Sequence, residues 1–589
     1  MTRLLLFCCL AISAKAQDEA ARVFLISLDG FGHYALTRDP AAGAMRNLQS
    51  MTKEGVLLPM QAAFPSLTAA GHASLFTGAY GDENGVTANN VALRPRNRHR
   101  FDERVNGFRA EQLDRENFWV PLGRRGIRTV AHNSTQGFPC NDKNSGPGVA
   151  LLNGYQTAEV APERVLRSLD VKWLDAAPEG FPAFGKSRKT PQYFQYSAKD
   201  TKIEGVVFAK GWRYDTIRLR VGAKHVDVSL WKAEDEPFAS SAKPRKLARY
   251  FSDPLEVKPN AGVFYRLFEV RDDGRDFMLY QSQGKEISYC TDGAEQNIAA
   301  ATRLYREAGA FVGNGAGSQY SRGALGKVLE DGIAERRFLE TLELHARQTM
   351  RYTEAMLEAN NPRLLLDYIS TTDDMLHLWW GMAAQGEPFL DPYREWGYAI
   401  ADWRVGALLS HRRDQDHLIV VSDHGMTGMT HEIRLNKLLE EWGYRDKVFA
   451  SYYGLYVNTT DWYNGKVPME EKQALLEELR TKLAAYTYGN QNVFREFYWP
   501  DAIAKDYGIG GDRAADLYFD LTPGWSLSPL TGSPYVRKLP QPKGEHGPIP
   551  TREDLLSVFL QYGPGLHSRP LTIKTKDIAA IITKILLTD

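Results

Sequence analysis

The sequence predicts an α/β protein with a mostly parallel central sheet and a β-rich module inserted into it. Three observations lead there. The runs ARVFLISLDG (21–30), PRLLLDYIS (362–370) and HLIVVSDHGM (417–426) are apolar almost throughout. Without polar alternation they read as strands buried on both faces, as in a parallel sheet. Long segments of helical period precede two of them, GIAERRFLETLELHARQTMRYTEAMLEAN and YREWGYAIADWRVGALLSHRRD. Strands alternating with helices indicate helices packed on a sheet. From about 155 to 290 the period becomes two. Ile217, Leu219 and Val221 alternate with Arg218 and Arg220, and Val226, Val228 and Leu230 with Asp227 and Ser229. YRLFEVRDDGRDFMLYQS then reads as a hairpin turning at Asp273-Gly274. The expected divisions are a first α/β part over 17–150, the β-rich insertion over 151–292, and a second α/β part over 293–589.

The N-terminal segment differs from all of these. Arg3, an apolar run from Leu4 to Ile12, and Ala14-Lys15-Ala16 follow the order of a secretory signal over 1–16. Cleavage is expected after Ala16, with export to a secreted or periplasmic location. The run is too short for a membrane span, which takes roughly 20 apolar residues. Lys+Arg and Asp+Glu both number 72, and this balance argues against a nucleic-acid-binding surface. Cys8 and Cys9 leave with the signal, so Cys140 and Cys290 remain. Two cysteines are too few for a thiolate zinc site. They bracket the insertion and are expected either to pair, closing its stalk, or to be two buried thiols.

Sites in open α/β sheets form at the carboxyl ends of strands. Those ends carry Asp29, then Asp373 and His377, then Asp423 and His424, while KGEHGPIP adds His546 on a glycine-flanked loop. Asp373 and His377 are spaced i, i+4, so one helical turn puts both on one face. Oxygen and imidazole donors without thiolates suit Zn²⁺, with Mn²⁺ or Fe as alternatives, and the number of donors suffices for two ions. A pair of such ions clamps a phosphoryl group in transfer. FPSLTAAGHASLFTG (64–78) carries four hydroxyls and no nearby base. A coordinated metal removes the need for one.

VFLISLDG, FPSLTAAGH, TDDMLH, VVSDHGM and GEHG follow the order found in the alkaline phosphatase superfamily. The chain most resembles its branch of type I phosphodiesterases and nucleotide pyrophosphatases, over 21–95 and about 360–550. The resemblance implies an alkaline-phosphatase-like three-layer sandwich, with Thr68 as nucleophile. It implies one zinc on Asp29, Thr68, Asp423 and His424, and another on Asp373, His377 and His546. Asn89, with Asn90 as the other candidate, takes the place of the asparagine that holds phosphate oxygens. Backbone N–H groups of the nucleophile's turn are expected to add donors. Ala70-Gly71-His72 and TDDMLH depart from the usual diesterase residues. Gly71-His72 and a Lys186-x-Arg188 pair are instead similar to the threonine-dependent monoesterases, although the pair reads more simply as exposed charge. The implied function is a two-zinc hydrolase of small phosphoesters acting through a phospho-threonine, with a phosphomonoesterase or a non-catalytic binding protein as alternatives. His72, Asp367, Asp374 and His431 read as structural or supporting, and Trp379-Trp380 as core.

Overall fold

The structure is a computed structural model describing residues 20–231, 251–292, 298–528, 530, 532–565 and 572–588. The expected secretory segment, with Cys8 and Cys9, lies outside the described residues. The central sheet has nine strands: β1 (Val23–Leu28), β2 (Val56–Gln61), β3 (Thr129–His132), β4 (Val149–Asn153), β5 (Ser288–Thr291), β6 (Leu364–Ile369), β7 (His417–Val421), β8 (Ser557–Tyr562) and β9 (Ile573–Lys574). Their order is β5-β4-β3-β6-β1-β7-β8-β2-β9. The five from β4 to β7 run parallel, and antiparallel pairing is confined to β5 with β4 and to β8 with its two neighbours. The expected mostly parallel sheet is therefore present.

Helices α1 (Thr68–Thr77), α2 (Ile333–Asn360), α3 (Thr371–Ala383), α4 (Asp391–Ser410) and α5 (Asp577–Thr588) frame it. Phe24, Ile26 and Leu28 of β1 pack among Leu342 and Met350 of α2 and Ile400 and Val405 of α4. Val23 and Leu25 face the other way, toward Leu75 and Phe76 of α1 and Ile578 and Ile582 of α5. Both faces of the strand are covered, which is why it reads as an unbroken apolar run. Each fully buried side chain of this kind contributes about 1.5–3 kcal/mol. Among the described residues no helix is long and apolar enough to cross a membrane.

The β-rich module begins and ends inside the expected 151–292. Val149–Asn153 and Ser288–Thr291 pair with each other at the edge of the central sheet and belong to it. The short buried run VALLN is a sheet strand, and the period-two pattern starts only after it. Between them, a five-stranded antiparallel sheet covering Lys172–Leu174 through Lys224–Ser229 shares a core with strands Arg164–Leu166, Tyr265–Val270 and Phe277–Gln281. Ile217 and Leu219 point into that core, while Arg218 and Arg220 pair outward with Asp227 and Glu204. The Tyr265–Val270 and Phe277–Gln281 strands form the expected hairpin, with Gly274 at φ 70° in its turn. Cys140 and Cys290 are joined in a disulfide, Cα–Cα 6.4 Å, that ties β5 to the loop after β3.

A second small unit was not foreseen in the sequence. Residues 435–527 carry a four-stranded sheet of Val448–Ser451, Gly454–Val457, Leu517–Leu521 and Phe494–Tyr498, with helix Lys472–Ala484 on it and a core of their own. It borders the carboxyl ends of the central strands.

Candidate active site

The register of β1 decides where the site forms. Leu28 lies opposite Ile369 of β6, and Ser27 opposite Val421 of β7. Asp29, the start of α3 and Ser422–His424 therefore emerge side by side. Gly30, at φ 66°, makes the turn after Asp29, and a Cβ there would lie 2.5 Å from Asp373 Oδ1. The chain crosses this point only without a side chain.

Helix α3 begins at Thr371 and puts Asp373 Oδ2 3.4 Å from His377 Nε2, the predicted one-face arrangement. His377 Nδ1 bonds to the Gly544 carbonyl at 3.0 Å, and His546 Nδ1 to the Ser66 carbonyl at 2.7 Å. Each carbonyl can only accept, so each Nδ1 carries a proton and Nε2 is the nitrogen turned to the site, the orientation a metal-binding imidazole takes. His424 is arranged alike, with Nδ1 bonded to the Gly425 carbonyl at 3.0 Å and Nε2 3.1 Å from Asp423 Oδ2 and 3.6 Å from Asp29 Oδ1. The His424 and His546 rings stack at 3.7 Å.

Asp29 Oδ1, Asp373 Oδ1 and Asp423 Oδ2 are buried without a hydrogen-bond donor. Burial, then the Asp423 and Asp373 charges, push the Asp29 carboxyl well above its ordinary range. Burial also holds His546 neutral, its pKa pushed down to about 3 with help from His424 and His377. The other two imidazoles go the opposite way: against burial, Asp373 pushes His377 up to about 10, and Asp423 with Asp373 pushes His424 up. Converging carboxylates and imidazoles, with protonated histidines standing where a divalent cation would compensate the acids, are the chemistry of a divalent-metal site. Asp29, Asp423 and His424 can each place a donor atom within 4.8 Å of the others, as can Asp373, His424 and His546, and His377, Glu545 and His546. The first group holds three members of one expected set, Thr68 being the fourth. The second puts His424 with Asp373 and His546, and the third brings in Glu545, which sequence reasoning did not select.

Thr68 is the first residue of α1. Leu67 occupies the cap position, and no side-chain bond caps the helix, so the Thr68 hydroxyl is not used as a cap. Its Oγ1 lies 3.2 Å from His424 Nε2. Helix α1 fits against the SDHG loop because Gly71 has no Cβ: one there would lie 2.8 Å from the Asp423 carbonyl oxygen. His72, one residue on, bonds through Nδ1 to the Thr68 carbonyl at 3.0 Å and through Nε2 to Ser27 Oγ at 2.7 Å, with Asp423 Oδ2 packed 3.3 Å from its Nδ1. Tyr368 supports Asp29 by donating to its Oδ2.

Asn89 Oδ1 accepts the Ala69 N–H at 2.8 Å, which fixes Asn89 to α1 and leaves its amide NH₂ as a donor. This corrects one expectation, because the Ala69 N–H serves Asn89 and is not a free phosphate donor. Asn90 lines the same cavity as Asn89 and donates to the Tyr452 hydroxyl at 2.6 Å. A cavity of about 510 Å³ opens over these groups, lined by Asn89, His377, Glu545 and His546 and, from the second small unit, Phe449, Tyr452 and Tyr453. Tyr452 and Tyr453 hold positive φ, 44° and 66°, at the tip of a hairpin. No local motif marks them in the sequence.

The other candidates lie in ordinary surroundings. Arg188 stacks 4.4 Å over the ring of Trp212 in the module, as surface charge does, and Lys186 precedes it on the same loop. Trp379 and Trp380 are core residues. Asp367 pairs with Arg404 and His132, Asp374 bonds to Ser370 and Asn314, and His431 stacks on Trp525.

A model of the type I phosphodiesterase / nucleotide pyrophosphatase family matches residues 23–203 and 290–549. An uncharacterized pyrophosphatase/phosphodiesterase of Schizosaccharomyces pombe is 29% identical over 168 residues, 27% of this chain and 32% of that protein. Among solved structures, murine ectonucleotide pyrophosphatase / phosphodiesterase 5 aligns with 96% of this chain and 95% of its own, at 13% identity and a TM-score of 0.46. Phosphonoacetate hydrolase from Sinorhizobium meliloti, in complex with phosphonoformate, aligns with 96% of both chains at 13% identity and a TM-score of 0.48.

Proposed function

The chain belongs to the type I phosphodiesterase / nucleotide pyrophosphatase family, and on that premise we propose that it is an exported, two-zinc hydrolase of small phosphodiesters with Thr68 as nucleophile. One observation carries the reading: three buried carboxylate oxygens without hydrogen-bond partners converge with three imidazoles, with the Thr68 hydroxyl among them. The residues fit divalent ions. Asp29, Asp423 and His424 would hold one next to Thr68, and Asp373, His377 and His546 the other. When bound, the two ions supply Lewis acidity to the attacking and leaving oxygens.

The protein's own residues do the rest. Helix α1 aims Thr68 Oγ1 at phosphorus, and its N-terminus favours the anionic group there. The Oγ1–P bond forms as Thr68 gives up its hydroxyl proton and the bond to the leaving oxygen breaks; the departing alkoxide takes up a proton from solvent, and a phospho-threonine ester remains. Water then attacks phosphorus from the vacated side and releases Thr68. The Asn89 amide is the donor available to a non-bridging oxygen. His72 and Tyr368 keep Asp423 and Asp29 in place. The cavity beside the metals, walled by Phe449, Tyr452 and Tyr453, accommodates an organic group on the phosphate, as a diester requires. The secretory segment at 1–16 is the basis for proposing export.

The test is turnover of a chromogenic phosphodiester by purified protein, with metal counted in the same sample. Two zinc equivalents with diesterase activity lost on chelation and restored by Zn²⁺ is the expected result. Metal-free protein without turnover in added zinc would leave a binding role on this fold. A kcat/KM higher for monoesters than for diesters would replace the diesterase reading with the phosphatase one.

A further inference from the structure

Glu545 stands beside the predicted metal ligands but has no role in the reading above. It is the last residue of strand Val536–Glu545, in register with Thr427 of the neighbouring strand. That strand is pressed against α3. A Cβ on Gly544 would lie 2.1 Å from the Leu376 carbonyl oxygen, and one on Gly381 2.2 Å from that of Lys543. The contact is locked by the bond from His377 Nδ1 to the Gly544 carbonyl. Glu545 is thus delivered to His377 by backbone packing of a strand on a helix, a more rigid device than a loop.

We propose that Glu545 is a direct ligand of the second metal, alongside His377 and His546. The inference rests on the two-metal reading of the site. Donor atoms of these three residues all lie within 4.8 Å of one another, a spacing one ion can bridge. One Glu545 oxygen accepts the backbone N–H of His546 at 3.1 Å, which fixes the carboxylate's orientation. Among the described residues no lysine or arginine forms an ion pair with it. A partly buried carboxylate is costly to hold charged; in the metal-free protein the His377 imidazole beside Glu545 offsets that cost, and a divalent ion would take over that role.

Charge balance points the same way. The ion beside Thr68 faces two carboxylates, Asp29 and Asp423. Without Glu545 the other faces Asp373 alone. With it, each ion would have two negative ligands. Oxygen and imidazole donors in this mixture suit Zn²⁺.

The test uses the full mature protein, stripped of metal and titrated with Zn²⁺ against a competing chromophoric chelator. Wild type should bind two ions. Glu545→Gln keeps the side chain's size and its acceptor for the His546 N–H while removing the charge. It should weaken one site by at least about tenfold, the loss usual even for residues that merely support a ligand, and leave the other unchanged. Glu545→Asp, which keeps the charge, should lose less. With Co²⁺ in place of zinc, Glu545→Gln should alter the visible absorption of one site only. Unchanged affinities with an unchanged Co²⁺ spectrum would overturn the assignment, as would an equal loss at both sites. Wild-type protein binding fewer than two ions would overturn the two-metal reading and this assignment with it.

Discussion

In the β-rich module, Tyr196, Tyr265 and Gln281 meet in the interior. The two hydroxyls lie 2.8 Å apart, Tyr196 donates to Gln281 Oε1 at 2.8 Å, and Gln281 Nε2 donates to the Pro162 carbonyl. At the carboxyl edge of the central sheet, Asp29 and Asp423 are buried as deeply, but one oxygen of each has no donor. Both clusters take polar atoms out of water. The first closes its bonds within the protein and so contributes to stability. The second leaves them open, toward a point where three carboxylates and three histidines converge. An unsatisfied buried oxygen costs free energy, and at this edge that cost is recovered when a cation binds. The difference separates a structural polar cluster from one built for a ligand.

Substitutions can break this contrast. Thr68→Ala should lower turnover by three orders of magnitude or more while metal content and thermal stability stay near wild type, because the hydroxyl supplies chemistry and little core volume. Measuring kcat and metal stoichiometry on one sample checks it; near wild-type turnover removes Thr68 as nucleophile. Asp29→Asn should empty the metal site beside Thr68, yet make the metal-free protein more resistant to heat, since it relieves repulsion with Asp423 and Asp373. Calorimetry with and without zinc reads both signs, and a less stable metal-free variant would contradict the account.

The remaining tests fall on the module side. Replacing Cys140 and Cys290 by serine opens a link across a sequence separation of 150, for which the chain-entropy model allows up to about 5 kcal/mol. Denaturant unfolding should show a loss within that bound, with kcat/KM for small esters kept. Glu163 is an exception within the module, its pKa raised to about 7 chiefly by burial. A carboxyl whose folded pKa lies above its unfolded one binds more protons when folded. Stability therefore falls as pH rises from the unfolded value toward 7. Glu163→Gln should accordingly stabilise the protein more at pH 8 than at pH 5, measured by thermal unfolding at both. Tyr265→Phe removes the hydroxyl's bonds to Tyr196 and Gln281 and should cost about 1 kcal/mol or somewhat more, with turnover unchanged.

What could be read from the sequence follows from the same physics. Strands buried on both faces appear as unbroken apolar runs, and the residues ending them, Asp29 and Asp423-His424, stand out against such a background. The i, i+4 spacing of Asp373 and His377 needs only one helical turn to be meaningful. The small unit over 435–527 left no such trace, because Gly454–Val457 finds its partner in Leu517–Leu521, some sixty residues on, and neither strand carries a motif. Tyr452 and Tyr453 reach the cavity through that pairing and were missed with it. Glu545 was passed over for another reason: beside His546 it reads as an ordinary strand-end charge, and only the packing of its strand on α3 brings it to His377. The ends of the insertion were misplaced because VALLN is too short to show which period it follows.

The central claim is that Thr68 carries the transferred phosphoryl group. Zinc-loaded protein mixed with a chromogenic phosphodiester, quenched in acid during turnover and digested, can be analysed by mass spectrometry for the peptide containing residues 64–78. The account predicts that this peptide gains the retained half of the diester, attached at Thr68, and that chelator-treated protein shows no adduct. Full turnover with an unmodified peptide at every quench time, together with an active Thr68→Ala variant, would contradict it.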